Sequence, residues 1–159
     1  MIFVSYDRVA ATEYAKRWAY DRNPAYYNFD GIGGDCTNFA SQCLYAGVKV
    51  MNYTKDVGWY YISPNDRAAA WTEANYFRRF MLNNNGIGPY AREAEISELE
   101  IGDFISLSDG KLFYHTLIIV GFDHTVPLIA AHTSDEYMRP LSDYYYHSAR
   151  GLHIIGANK

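Results

Sequence analysis

Apolar positions recur along this chain with two different periods, and the change of period divides it. From Asp7 to about Arg22, the residues Val9, Tyr14, Ala15 and Trp18 form a rough apolar stripe that predicts a helix, stopped by Asn23-Pro24. A cleaner pattern follows. Cys36, Phe39, Ala40, Cys43, Leu44 and Gly47 fall at i, i+3, i+4, i+7, i+8 and i+11, one helical face, running to about Ala46 with Gly47 as C-cap. A further amphipathic helix is expected over about Ala70 to Leu82, carrying Trp71, Ala74, Phe77 and Met81 and ended by Asn83-Asn84-Asn85-Gly86. Between these two helices, Val48 to Asp66 is aromatic and irregular and reads as a long surface loop able to wall a cleft.

Past Glu93 to Glu100, read as a solvated acidic connector, the period shortens to two. Asp103 to Leu107 predicts a strand, Asp109-Gly110 a tight hairpin, and Leu112 to Phe122 a longer strand. Leu128 to His132 and Gly151 to Ile155 supply two more. Helices first and antiparallel strands afterwards is an α+β order, expected as a single domain over residues 1–159.

The chemistry concentrates at Gly33-Gly34-Asp35-Cys36. The two glycines open positive-φ conformations, and Asp35 is a good N-cap, so Cys36 is expected in the first turn of its helix. The helix N-terminus carries about half a positive charge. Cysteines so placed have pKa values from about 3.5 to 7.5. Cys36 is therefore a candidate nucleophile, whereas Cys43, two turns along the apolar face, reads as core. A disulfide between them is excluded by helix geometry: seven residues rise about 10.5 Å, and a disulfide spans at most about 7 Å between Cα atoms.

A cysteine nucleophile needs an imidazole. Of His115, His124, His132, His147 and His153, the first lies inside the long strand. If Leu112–Phe122 and Thr125–Thr133 pair through a turn at Asp123-His124, His115 stands opposite His132, with Cβ atoms about 4.5–5.5 Å apart. One ring would then orient the other. A slip of one residue would send His132 to the other face, and Asp135 is then the fallback third member.

Composition narrows the partners. The 159 residues are 49% hydrophobic and 20% charged with net charge −4, which leaves no basic face for nucleic acid or an anionic membrane. No apolar run is long enough to span a bilayer, and Met1–Ser5 lacks the basic start and long apolar core of an export leader. Nothing indicates a metal or organic cofactor. Aromatic residues reach 17%, with 16 tyrosines, flat faces with polar tips suited to a peptide or sugar groove. Tyr26 to Phe29 and Val57 to Tyr61 are the candidate groove walls, so Tyr26, Tyr27 and Trp59, with Asp35, are the candidate substrate-binding residues.

These segments resemble a known family. Asn23-Pro24-Ala25-Tyr26-Tyr27 followed by Gly33-Gly34-Asp35-Cys36-Thr37-Asn38-Phe39-Ala40-Ser41-Gln42-Cys43-Leu44 is similar to the signature of the bacterial putative amidase domain, grouped with the papain-like NlpC-type and CHAP hydrolases of cell-wall peptides. Leu99-Glu100-Ile101-Gly102-Asp103-Phe104-Ile105 resembles that group's Gly-Asp start of the sheet. Tyr114-His115-Thr116-Leu117-Ile118-Ile119-Val120-Gly121 resembles the strand that begins with its catalytic histidine, and Ala131-His132-Thr133 the place of its third polar residue. The resemblance implies a papain-like α+β fold and a cysteine amidase or peptidase with Cys36, His115 and His132 as catalytic residues. It also implies the Cys36 backbone N–H in an oxyanion hole, Tyr26 or Tyr27 lining the groove, a peptide or peptidoglycan-fragment substrate, and a secreted or wall-associated setting. Acyl transfer by a transglutaminase-like use of the same dyad, and a binding module without catalysis, are the alternatives.

Overall fold

The computed structural model describes residues 1–159. In chain order the elements are β1 (Phe3–Val4), α1 (Arg8–Trp18), α2 (Cys36–Val48), β2 (Tyr61–Ser63), β3 (Asp66–Arg67), α3 (Ala69–Thr72), α4 (Ala74–Asn83), β4 (Gly88–Ala94), β5 (Phe104–Ser108), β6 (Phe113–Asp123), β7 (Val126–Ala131), β8 (Glu136–Pro140) and β9 (Ser148–Asn158). Four helices and a seven-stranded antiparallel sheet make an α+β fold. The sheet runs β1-β9-β5-β6-β7-β8, and β4 pairs along the remaining edge of β9. A hairpin of β2 and β3 stands apart from it. No helix is long and apolar enough to cross a membrane.

α1 starts where the apolar stripe does, because the Asp7 carboxylate accepts from the Ala10 N–H and caps the first turn. It ends at Trp18, short of the expected Arg22. α2 begins at Cys36 as expected but runs through Gly47 to Val48, and Lys49 takes the left-handed C-cap conformation at φ 56°. Gly47 is required for packing instead of termination: a Cβ there would lie 2.4 Å from the Tyr6 ring. The third expected helix is broken in two at Glu73, whose extended backbone (φ −119°, ψ 125°) separates α3 from α4.

The sheet has two covered faces, which is why every residue of β5 is buried. On one face Phe104, Ile118, Ala130, Leu152 and Ile154 pack with Phe39, Cys43 and Leu44 of α2 and with Trp71, Phe77 and Met81. On the other, Ile105, Leu107, Leu117, Ile119, Ile129 and Ala131 form a smaller cluster closed by Leu99 and Leu141. The Val48–Asp66 segment is more ordered than a loop. Asn52 bridges to Trp59, and the Trp59 indole N–H donates to Ser41 Oγ inside the helical core. Glu93 to Glu100 is likewise partly strand, since Glu93 and Ala94 complete β4.

Two irregularities in β6 decide where the histidines point. The turn to β7 is made by His124 and Thr125, between the paired Asp123 and Val126, one residue later than expected. A bulge near Val120 then brings Ile118 opposite Ala130. Continued along both strands, this register sets His132 level with Thr116 and not with His115. The one-residue slip has occurred, and the two histidines lie on opposite faces of the sheet.

Candidate active site

Cys36 opens α2 at the floor of a cleft of about 380 Å³, lined also by Gly33, Thr72, Glu73, Tyr76, Phe113 and Tyr114. The thiol is recessed, with the residue 8% exposed. Thr37 Oγ1 lies 3.7 Å and the Tyr114 carbonyl oxygen 4.0 Å from Sγ. Next to it, the Thr37 and Thr116 hydroxyls share a hydrogen bond of 2.9 Å that ties α2 to β6. Burial pushes the Cys36 thiol above its ordinary value, with the backbone N–H groups of Thr116 and Thr37 and the Thr37 hydroxyl opposing and the Asp35 charge adding to the rise. The expectation of a thiol lowered by its helix terminus is thus corrected, because loss of water outweighs the nearby N–H groups.

His115 is not beside this sulfur. Across the sheet, Leu107 pairs with His115 but Ser108 pairs with Phe113, so Tyr114 is an extra residue in a bulge. Phe113 therefore stays on the helix face, where the Arg78 guanidinium lies 4.8 Å over its ring, and His115 turns to the far face. There its ring sits 6.0 Å from that of Tyr144. Burial, and secondarily the Arg139 charge, lower its pKa to about 4. The ring is neutral at pH 7, but the structure does not bring it to Cys36.

His132 is on the helix face, deeply buried and stacked on Phe39 at 4.0 Å between ring centroids. Its Nδ1 is 2.5 Å from Asp35 Oδ2 and its Nε2 is 2.7 Å from the Trp18 carbonyl oxygen. It orients no second imidazole. Asp35 in turn does not cap α2 with its side chain. Its carboxylate accepts instead from the Phe29 N–H, the Asn38 amide and His132, contacts that hold its pKa below the usual value against the opposing effect of burial. Asp135, the fallback, is held bidentately by Arg22 at 2.8 and 3.0 Å.

The candidate groove residues divide as well. Trp59 is 0% exposed, packed 4.7 Å from Trp71, and cannot touch a ligand at the surface. Asp35 is fully buried too. Tyr26 stacks on Trp71 at 5.9 Å and Tyr27 is exposed, and neither lines the Cys36 cleft. The residues that do line it and that sequence reasoning missed are Glu73, Tyr76 and Tyr114. Glu73 is the one charged side chain among the cleft's lining residues. Its only sequence signal was the position between two helical segments that periodicity had joined.

Cys36 and Cys43 are both free, as the helix geometry required. Glu100, Asp103 and His153 bring ligand atoms within 4.8 Å of one another. Asp103 Oδ1, however, accepts from Arg8 Nη1 at 2.8 Å and from the Ile154 N–H. Its Oδ2 faces His153 Nδ1 and accepts from the Glu100 N–H. Both carboxylate oxygens of Asp103 thus have partners within the protein.

Residues 5–155 match the family described as "Putative amidase domain". The chain belongs to this family. It is 36% identical over 140 residues to the uncharacterized protein YhbB of Bacillus subtilis (strain 168), covering 84% of this chain and 43% of that protein. It is 29% identical over 154 residues to the uncharacterized protein YjcM of the same organism, covering 94% of this chain and 32% of that protein. The amidase domain thus spans less than half the length of these curated relatives. No solved structure matches it at a significant level. The family's description points to amide-bond hydrolysis, and so to a hydrolase.

Proposed function

We propose that this amidase domain hydrolyses amide bonds with Cys36 as nucleophile, through a thioester, and that its substrate is a cell-wall peptide. The observation that carries the reading is the thiol at the start of α2, on the floor of a cleft with room for a short stretch of peptide. The thiolate attacks the carbonyl carbon, the amine leaves with a proton, and water then releases the acid from the thioester. The first-turn N–H groups of α2, the Cys36 N–H among them, are the proposed donors to the oxyanion. The likeness of the Asp35-Cys36 segment to papain-like cell-wall hydrolases supports the fold kinship and the substrate class.

His115 is the proposed base. Its neighbour Tyr114 already presents a carbonyl to Sγ, and the bulge at Tyr114 holds one residue more than the pairing needs. Moving that extra residue along the strand exchanges faces and carries the ring to the thiol side. The test is turnover of purified muropeptides by Cys36→Ala and His115→Ala. Cys36→Ala is expected to lose at least about 10³-fold in rate, as removal of a covalent nucleophile does. Activity surviving it refutes the nucleophile, and activity surviving His115→Ala refutes the base alone. One observation favours a non-catalytic binding module: the hydrogen-bonding neighbours of Sγ are the Thr37 hydroxyl and the Tyr114 carbonyl, and neither is an imidazole. Peptide binding without turnover would decide for that reading.

A further inference from the structure

Behind the first turn of α2 lies a set of charges that the proposed reaction does not use. Arg22, in the segment after α1, donates to Asp30 Oδ2 at 2.7 Å and to Asp135 at 2.8 and 3.0 Å, and its Nε is 3.5 Å from Asp35 Oδ2. His132 lies between Asp35 Oδ2 on Nδ1 and the Trp18 carbonyl on Nε2. Both ring nitrogens thus face an oxygen atom, and Arg22 Nη1 is a further neighbour of Nε2 at 3.2 Å. Asp30, Asp35 and Asp135 thus converge on Arg22, and His132 shares Asp35 with it. The same corner is fastened to the chain after β7, since the Asp35 N–H donates to Thr133 Oγ1 at 3.0 Å.

The shared carboxylate is one residue before the thiol. We propose that His132 and Arg22 are positioning residues for Cys36: an imidazole and a guanidinium that clasp Asp35, draw its charge away from the sulfur and hold the first turn of α2 in place. Without them a buried carboxylate would stand uncompensated beside the thiol, and like charge opposes formation of the thiolate. The other charged group facing Cys36 is Glu73 across the cleft, which the variants below leave intact. The inference rests on Cys36 being the nucleophile only for its functional meaning. Its test reads the thiol directly.

The experiment follows iodoacetamide alkylation of Cys36 in the full chain against pH, the labelled cysteine being assigned by peptide mass. His132→Gln is expected to raise the alkylation midpoint by about one pH unit, the size of effect a nearby unscreened charge gives. Arg22→Gln should raise it by less, and Asp35→Asn should lower it. In Asp35→Asn/His132→Gln the midpoint returns towards that of the unaltered chain. Midpoints unchanged in both His132→Gln and Arg22→Gln, with only the melting temperature reduced, would overturn the proposal and leave a purely structural clasp. Should His132→Gln fail to fold, Arg22→Gln at a partly exposed position carries the same comparison. Loss of the amidase reading, seen as no turnover by the unaltered chain, leaves these midpoints interpretable.

Discussion

The two faces of the sheet use the same strands for opposite purposes. The helix face brings Thr116 of β6 against Thr37 and His132 against Asp35, and each polar group there has a partner. The far face holds His115, Tyr144 and Arg139 around a small apolar cluster, and the buried Tyr144 hydroxyl has no hydrogen-bond partner. Adjacent residues of one strand, His115 and Thr116, therefore live in unlike surroundings. A polar residue is held in a defined place by partners on its own face, and sequence spacing alone does not supply them.

The contrast can be tested by unequal damage. Trp71→Ala removes a fully buried ring packed against Trp59 and Tyr26, and should cost about 3–5 kcal/mol in denaturant unfolding. Leu141→Ala on the far face, beside a cluster with a thinner cover, should fall near the lower end of the range for such changes, about 2 kcal/mol. Equal losses would mean that the two faces are equally well packed.

Acid should separate the faces by pH window. His115 is lowered in the folded chain to about 4, so between the ordinary histidine value of about 6.5 and 4 the unfolded chain takes a proton that the folded one refuses. Stability therefore declines as pH falls through that window, and His115→Gln should flatten the decline. Asp35 is also lowered, but it is a carboxylate. Its contribution is present above the unfolded value of about 3.9 and is lost as pH drops through the folded one, so Asp35→Asn should change only the more acidic limb. Unfolding free energy measured from pH 8 to 3 reads both. The smallest effect is expected from Tyr144→Phe, which removes the orphaned hydroxyl and should stabilise by about 1 kcal/mol.

Much of this was legible from residue order. The start of α2 at Cys36 followed from the apolar spacing after the glycines, and the β5–β6 hairpin from Asp109-Gly110, where Asp109 Oδ1 accepts from the N–H groups of Lys111 and Leu112. Other elements were hidden. β8 was not foreseen, and β4 was partly read as connector, because Glu136–Pro140 and Gly88–Ala94 lack alternating apolar positions and take their strand form from neighbours. The split between α3 and α4 lies where the helical period continues unbroken through Glu73. Trp59 looked like a groove aromatic until Ser41 and Trp71 enclosed it.

Sequence by itself determined the α+β order, the exposed or buried tendency of each helical face, and a cysteine at a helix start, since these depend on side-chain period and local backbone preference. The tertiary structure alone decided which way the histidines face and whether the thiol is wet. A strand alternates sides at every residue, so one extra residue at Tyr114 and another near Val120 reverse the outcome while leaving the local pattern unchanged.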